Sequence, residues 1–425
     1  MRIVTITFTL CLLLLATLPA AATAAIRLVT IADPITPVTA RFLQRHLDLA
    51  ASQRDALVLI ELDTPGGLDT AMRDIVQRLF ASPVPVAIYV APAGARAASA
   101  GAIICLAADF CTMAPGTNIG AAHPVSLGGK ADPTMETKLV NDAEAYAEGL
   151  ARQRGRNETL ARQMVRDSLS LSAEKALDGK VVDFIAADRA SLLRQLEGRQ
   201  FVRDGKTMTL QLAGAETVAA AMGRAERILN TISNPNVAYI LLMLGALGLY
   251  FELSNPGAIL PGVIGGIALL LAFFAFQTLP VNYAGLLLIL LALIFFIAEI
   301  KVVSGGMLTV GGIIALILGS LMLFDSPEPW LRLSWRVIAV TVFCTSAFFI
   351  LVVNRVLAVH RQRPTTGQEG LLGVEGTAES AIAAEGKIFI RGEYWEASSD
   401  EPIAAGERIV VAGVEGMRLK VRKIA

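Results

Sequence analysis

The chain has 425 residues, 54% hydrophobic and 17% charged, with a mean hydropathy of +0.58, which excludes a disordered chain and an ordinary soluble cytosolic enzyme. Lys+Arg and Asp+Glu both number 37, so no basic excess is present to hold a phosphate backbone and no nucleic-acid partner is expected.

Residues 1–25 read as an export signal. Arg2 supplies the positive start, residues 10–18 the apolar stretch, and Ala22-Thr23-Ala24 the small-x-small cleavage site. The mature chain is expected to begin near Ala25 or Ile26, outside the cytoplasm. Cys11 leaves with the signal, and no cysteine follows the cleavage point to take a lipid. Cys105, Cys111 and Cys344 remain, too few and too oddly placed for a disulfide framework; two buried free thiols at Cys105 and Cys111 are preferred to a bridge between them.

Residues 26–230 alternate strand and helix patterns. Residues 56–62 form an apolar strand that ends in Asp63-Thr64-Pro65-Gly66-Gly67, residues 68–80 have helical periodicity, and residues 84–90 form a second strand. Repeated units of this kind predict a parallel sheet with right-handed crossovers, whose sites lie beyond the carboxyl ends of the strands. Both Pro65-Gly66-Gly67 and the stretch 94–101 fall there, so the two loops are expected to meet. Gly66-Gly67 lets backbone N–H groups approach a reacting atom, and Ala97-Ala98-Ser99-Ala100-Gly101 presents one hydroxyl at a helix start. The pair suits a serine nucleophile beside an oxyanion hole; the same residues also suit a plain turn and a helix cap.

The composition changes at about residue 236. Residues 236–358 carry few ionisable side chains, and breaks rich in Pro, Gly and charge divide them into about five spans: 237–254, 258–279, 284–300, 305–324 and 337–358. The first is the least regular, with Glu252 and a Gly-rich pattern. An odd number of spans after an exported N-terminus returns the C-terminus to the cytoplasm, in agreement with Arg355, Arg361 and Arg363 beyond the last span. Glu299 with Lys301 at a span end is expected to serve structure, by interfacial snorkelling. After a linker at 359–369, residues 370–425 hold five short strand patterns, at 374–379, 386–391, 393–397, 407–411 and 418–424, which predict a small OB-like barrel. Its few aromatics, Phe389, Tyr394 and Trp395, favour protein interaction over nucleic-acid binding.

Several motifs in order then carry a resemblance: Asp63-Thr64-Pro65-Gly66-Gly67, Ala97-Ala98-Ser99-Ala100-Gly101, Met113-Ala114-Pro115-Gly116-Thr117-Asn118-Ile119-Gly120-Ala121-Ala122-His123-Pro124, Gly155-Arg156-Asn157, and an Ala-Leu-x-x-Gly pattern within 173–186. Over nearly its whole length the chain resembles the long form of NfeD, membrane-bound serine proteases of the ClpP/signal-peptide-peptidase class that are often paired with a stomatin-like protein. The resemblance implies an α/β ClpP/crotonase-like domain, an α-helical multi-span membrane domain and the OB-like barrel. It further implies Ser99 as nucleophile, Gly67 and Ala100 N–H groups as the oxyanion hole with Gly66 as alternative, and Lys138 as general base. A lysine serves as a base only when neutral. His123, in a His-Pro context resembling that of ClpP, is the alternative base, and Lys130 a distant third.

The implied partners are a stomatin/SPFH-like membrane protein, a peptide or protein substrate, the lipid bilayer and further copies of the chain as a homo-oligomer. The implied site is the inner membrane, with the protease domain extracytoplasmic and the barrel cytoplasmic. Two other readings stay open: a scaffold whose protease domain is vestigial, and a crotonase-like acyl-CoA enzyme, against which stand the export signal and the lack of a carboxylate pair near the two loops. No metal or phosphate-binding motif is present in the sequence, and no cofactor is expected.

Overall fold

The structure, a computed structural model, describes residues 24–125, 132–203, 205–254, 257–302, 304–324, 326, 328–360 and 368–424. The export signal, except for its last two residues, Lys130, and most of the linker before the barrel lie outside the described residues. The chain divides into two compact units, 1–292 with 314–342, and 293–313 with 343–425.

In the first unit the order begins β1 (Ile26–Ile31), α1 (Pro37–Gln53), β2 (Leu57–Leu62), α2 (Asp69–Ala81), β3 (Val86–Val90), β4 (Arg96–Ala98) and α3 (Ala100–Ala107). It continues through β5 (Phe110–Met113), β6 (Asn118–Gly120), α4 (Pro133–Gln153), α5 (Glu158–Arg166), β7 (Ser170–Ser172), α6 (Ala173–Asp178), β8 (Phe184–Ile185) and α7 (Arg189–Leu196). A two-stranded ribbon of β9 (Gln200–Arg203) and β10 (Lys206–Thr209), then β11 (Thr217–Ala219) and α8 (Arg224–Ile232), complete the domain.

Six strands form one parallel sheet in the order β11-β1-β2-β3-β5-β8. The central strands read as continuous apolar runs because helices and loops cover both faces: every residue of β3 is buried, and only Glu61 of β2 is partly exposed. Local signals set the helices. Thr36 caps α1 by accepting from the Thr39 N–H, with Pro37 in its first turn, and Asn157 caps α5 by accepting from Leu160 N–H. A smaller sheet, β4-β6-β7, lies beyond the carboxyl edge and is joined to the loop after β2 by the single-residue parallel bridge Thr64↔Ala97, while a second bridge, Ile35↔Gly67, ties the loops after β1 and β2 together.

Two buried ionic clusters brace this domain. Asp109, its side chain 1% exposed, accepts from Arg154 at 2.7 Å, from Arg203 at 2.6 Å and from the Val86 N–H at 2.8 Å. Asp183 pairs with the buried Arg156 at 2.9 Å and accepts from the Cys111 N–H. Cys105 and Cys111 are buried free thiols, as expected, and burial pushes the Cys105 thiol well above its ordinary range, so it stays protonated.

Five apolar helices follow: α9 (Pro235–Ser254), α10 (Ile259–Phe276), α11 (Tyr283–Lys301), α12 (Met307–Met322) and α13 (Trp335–His360). Among the described residues four are long and apolar enough to cross a bilayer, whereas α12 has 16 residues and a length of about 24 Å by helical rise. Helices α9 and α10 approach closely through small residues: a Cβ on Gly248 would stand 2.9 Å from Gly265 Cα. In the same unit the Tyr239 hydroxyl meets Ser320 Oγ at 2.7 Å, joining α9 to α12.

In the second unit Glu299 is buried, and its carboxylate does not depend on the exposed Lys301. It accepts from Ser304 Oγ at 2.6 Å and from the N–H groups of Gly306 and Thr309 at 3.0 and 3.1 Å, satisfying the first turn of α12. The C-terminal strands β12 (Glu375–Ala378), β13 (Gly386–Ile390), β14 (Glu393–Ser398), β15 (Arg408–Glu415) and β16 (Arg418–Lys423) close into a barrel in the order β12-β13-β14-β16-β15, as their alternation predicts. Ile388, Ile390, Ala397, Ile409, Val411, Leu419 and Val421 fill it.

Removing Asp109 strands two arginines in the interior. Asp109→Ala is expected to lower stability by about 3–5 kcal/mol, read as a drop in the thermal melting of the purified full chain.

Candidate active site

The two single-residue bridges bring the loops after β1, β2 and β4 together. The Thr64 hydroxyl is buried and holds the turn after β2 from inside, donating to the Gly66 carbonyl at 3.0 Å and accepting from the Gly66 N–H at 3.2 Å. Ile35 donates to the Gly66 carbonyl and accepts from the Leu68 N–H, which turns the Gly67 N–H to the opposite side. The glycines are needed for space as well as conformation. Gly66 has φ +121°, and a Cβ there would stand 2.7 Å from Ser99 Cβ; one on Gly67 would stand 2.2 Å from the Ile35 carbonyl oxygen.

Ser99 lies between β4 and α3 with φ 53° and ψ −118°, a backbone conformation that is strained for a residue with a side chain. Its N–H donates to the Gly120 carbonyl at 2.9 Å, and its carbonyl accepts from Ala102 N–H at 3.0 Å, so the turn is held from both sides. The far end of α3 is held as firmly. Arg156 donates to the carbonyls of Leu106 and Ala108 at 2.8 and 2.9 Å, and Arg154 to that of Ala107 at 2.8 Å. Two cations at the carboxyl end favour the helix dipole, and its amino end lies at Ser99. The Gly155-Arg156-Asn157 motif thereby acquires a physical role: it anchors the helix that carries the serine.

Among the described residues the N–H groups of Gly67 and Ala100 have no hydrogen-bond partner, and both residues line the same cavity as Ser99. A hydroxyl flanked by two unengaged N–H groups is the arrangement that stabilises negative charge growing on an acyl oxygen. The Gly66 N–H is taken by Thr64, which leaves Gly67 the better placed of the two glycines.

The cavity has a volume of about 120 Å³, and Leu68, Met72, Ile103, Ala122 and Tyr146 give it a mostly apolar wall. Arg73 lies over the Tyr146 ring at 4.4 Å and pairs with Asp69 and Asp142, so its charge is already balanced. Burial raises the Tyr146 phenol above its ordinary value, which makes it a donor rather than a base.

Neither expected base touches Ser99 here. Lys138 is exposed on the second turn of α4 and does not line the cavity. On the same helix Ala143 and Tyr146 do line it, and helical spacing sets Leu139 and Met135 on that face one and two turns earlier, both exposed. His123 is half-buried, its Nδ1 donating to the Val165 carbonyl at 3.0 Å. Arg73 and Trp330 could not be placed at the cavity from the chain alone, because each reaches it from an element whose neighbours in space are far along the chain; Tyr146 belongs to an apolar helix face that the spacing of residues 135–150 does show.

The architecture defines an integral membrane protein in which an α/β domain with a serine at a strained turn is joined to apolar helices and a closed barrel. Profiles of three domains match in that order: the NfeD1b N-terminal domain over 25–220, the NfeD integral membrane domain over 236–355, and the NfeD-like C-terminal, partner-binding domain over 368–423. The chain is 36% identical over 399 residues to the membrane-bound protease PH1510 of Pyrococcus horikoshii, covering 91% of this chain and 90% of that one. It is 30% identical over 410 residues to the membrane protein NfeD1b of Bacillus subtilis, again covering 91% and 90%. A solved structure, the 1510-N membrane protease specific for a stomatin homolog from Pyrococcus horikoshii, is 34% identical and covers 49% of this chain and 98% of that chain, with a TM-score of 0.43. The chain belongs to the NfeD family, in its long form.

Thr64→Val keeps the shape of the turn but leaves the buried Gly66 N–H without an acceptor. A loss of about 1–3 kcal/mol in the stability of the full chain is expected, measured by thermal or denaturant unfolding.

Proposed function

We propose that the protein is a membrane-anchored serine endopeptidase that cleaves apolar segments of membrane-associated, stomatin-like proteins. The observation that carries this reading is the strained Ser99 turn, with the unengaged N–H groups of Gly67 and Ala100 on one apolar cavity. Homology over nine-tenths of the chain to a protein named as a membrane-bound protease supports it. The ClpP-like assignment of the domain belongs to the same proposal.

In this mechanism Ser99 Oγ attacks the scissile carbonyl carbon, and the carbonyl oxygen takes the developing charge into the two N–H groups. Lys138 accepts the serine proton and returns it to the leaving amine. Water then repeats the attack on the acyl-enzyme. Lys138 reaches Ser99 when the beginning of α4 folds over the cavity, and the exposed Met135 and Leu139 beside it are the apolar face that a bound substrate covers. The substrate thus completes its own site, an economy that keeps the exposed domain inactive towards bystanders. His123 is the second candidate, since imidazole needs no large change of environment to act near neutrality.

A second reading rests on the C-terminal barrel, which matches a partner-binding domain, and on the separation of Lys138 from the cavity: a proteolytically inactive scaffold for a stomatin-like protein. Acylation separates the two. Full-length protein in lipid discs is treated with a serine-acylating probe and with an apolar peptide; the protease labels at Ser99 and cleaves, and Ser99→Ala does neither.

With a lysine base, Lys138→Ala abolishes turnover and His123→Ala keeps most of it; a histidine base reverses the two variants. Gly67→Val is expected to lower kcat by about 10²–10³-fold by displacing one N–H donor, with a smaller effect on KM. We further assign the α/β domain to the extracytoplasmic side and the barrel to the cytoplasm, with the short α12 crossing as well. A reporter active only in the cytoplasm should then work after Ala425 and fail after Asn230; activity at both positions means an even number of crossings.

A further inference from the structure

One wall of the Ser99 cavity does not come from the α/β domain. Glu328 and Trp330, in the loop between α12 and α13, line it together with Met72, Arg73 and Tyr146. The described residues of this loop are held by several hydrogen bonds. Pro329–Leu331 form a single 3₁₀ turn, Leu331 is fully buried and its N–H donates to the Glu328 carbonyl at 3.1 Å. Glu328 N–H in turn donates to Ser326 Oγ at 3.2 Å, and Ser334 N–H to Asn236 Oδ1 at 2.8 Å.

Within this frame the indole N–H of Trp330 is buried and, among the described residues, has no acceptor. A buried donor without a partner costs roughly 1–3 kcal/mol, so it marks a place where an acceptor belongs. The cavity that Trp330 lines has a mostly apolar wall, and Arg73, the cation on that wall among the described residues, is already paired with two carboxylates. An anion therefore finds no free partner there, whereas the carbonyl of an extended peptide satisfies an indole N–H and leaves apolar side chains to fill the cavity.

The geometry points to the α12–α13 loop as part of the substrate site. Trp330 is a specificity-determining residue whose ring, on the cavity wall, packs on an apolar side chain, and whose buried N–H gains its acceptor when the ring turns to meet a main-chain carbonyl of the substrate. The substrate is an extended apolar segment lying at the membrane surface, because the loop that receives it is tethered at both ends by apolar helices. This inference rests on the reading of Ser99 as the nucleophile of peptide hydrolysis, and deepens it.

The test uses the full-length chain in lipid discs and a dansyl-labelled apolar peptide. The chain has three tryptophans, so Trp335→Phe with Trp395→Phe leaves Trp330 as sole donor. In a Ser99→Ala background, peptide binding should give energy transfer from Trp330, and, with affinities read by the anisotropy of the dansyl group, Trp330→Phe, which keeps an aromatic ring but removes the N–H, should weaken binding about fivefold, with Trp330→Ala weaker still. In the Ser99 enzyme the same variants should raise KM for the peptide by a larger factor than they lower kcat. No transfer, or equal affinity in all three proteins, overturns the inference, and with labelling and cleavage intact leaves the protease reading standing. Trp330-dependent binding without any labelling of Ser99 sinks the protease reading instead and keeps the peptide site.

Discussion

The site depends on the bridge between Thr64 and Ala97. A parallel sheet by itself ends in separate loops, each free to adopt its own turn. Here one residue of the β2 loop pairs with one residue of β4, and its hydroxyl closes the Gly66 turn from within. The strain at Ser99 is tolerated because the surrounding contacts over-determine it: Gly120 takes its N–H, Ala102 donates to its carbonyl, and two arginines fix the other end of α3. Local strain is thus distributed into a ring of main-chain hydrogen bonds and a buried ionic cluster some distance from the cavity.

The fold was largely readable from the chain because its signals are local. Apolar runs ending in turn residues mark β2 and β3, the composition break near 236 marks the membrane domain, and alternation in the tail marks five strands that do close into a barrel. The two loops at the carboxyl edge were expected to meet, and the Thr64–Ala97 bridge joins them. Other features were hidden because they depend on distant partners. Nothing in the pattern of α12 and α13 tells that the loop between them borders Ser99, and nothing near Glu299 tells that its carboxylate caps α12 rather than pairing with Lys301. The 16-residue length of α12 was also blurred, since the apolar run continues past the carboxyl end of the helix through Leu323 and Phe324.

Lys138 illustrates a different boundary. Its helix face is legible from the spacing of Met135, Leu139, Ala143 and Tyr146, and that face does meet the cavity at its later turns. Its first turns are exposed, with two large apolar side chains in water. Periodicity specifies which side of a helix is apolar; it does not specify whether the cover is the protein's own core or a segment supplied by another molecule.

Closure of the C-terminal strands governs how the barrel can recruit anything. In an open sheet the outermost strand offers a row of unpaired N–H and C=O groups, and an incoming chain can extend the sheet by lying alongside it. Here β12 pairs with both β13 and β15, and β14 with both β13 and β16, so the ring has no outermost strand. A protein held by this module must be gripped through side chains on the outer wall, where Tyr394 packs on Phe389 with ring centroids 5.0 Å apart, or through the turns at its rims. Recognition of that kind follows surface shape and charge rather than backbone pattern, and it leaves the module unable to polymerise edge to edge with its neighbours in a crowded membrane.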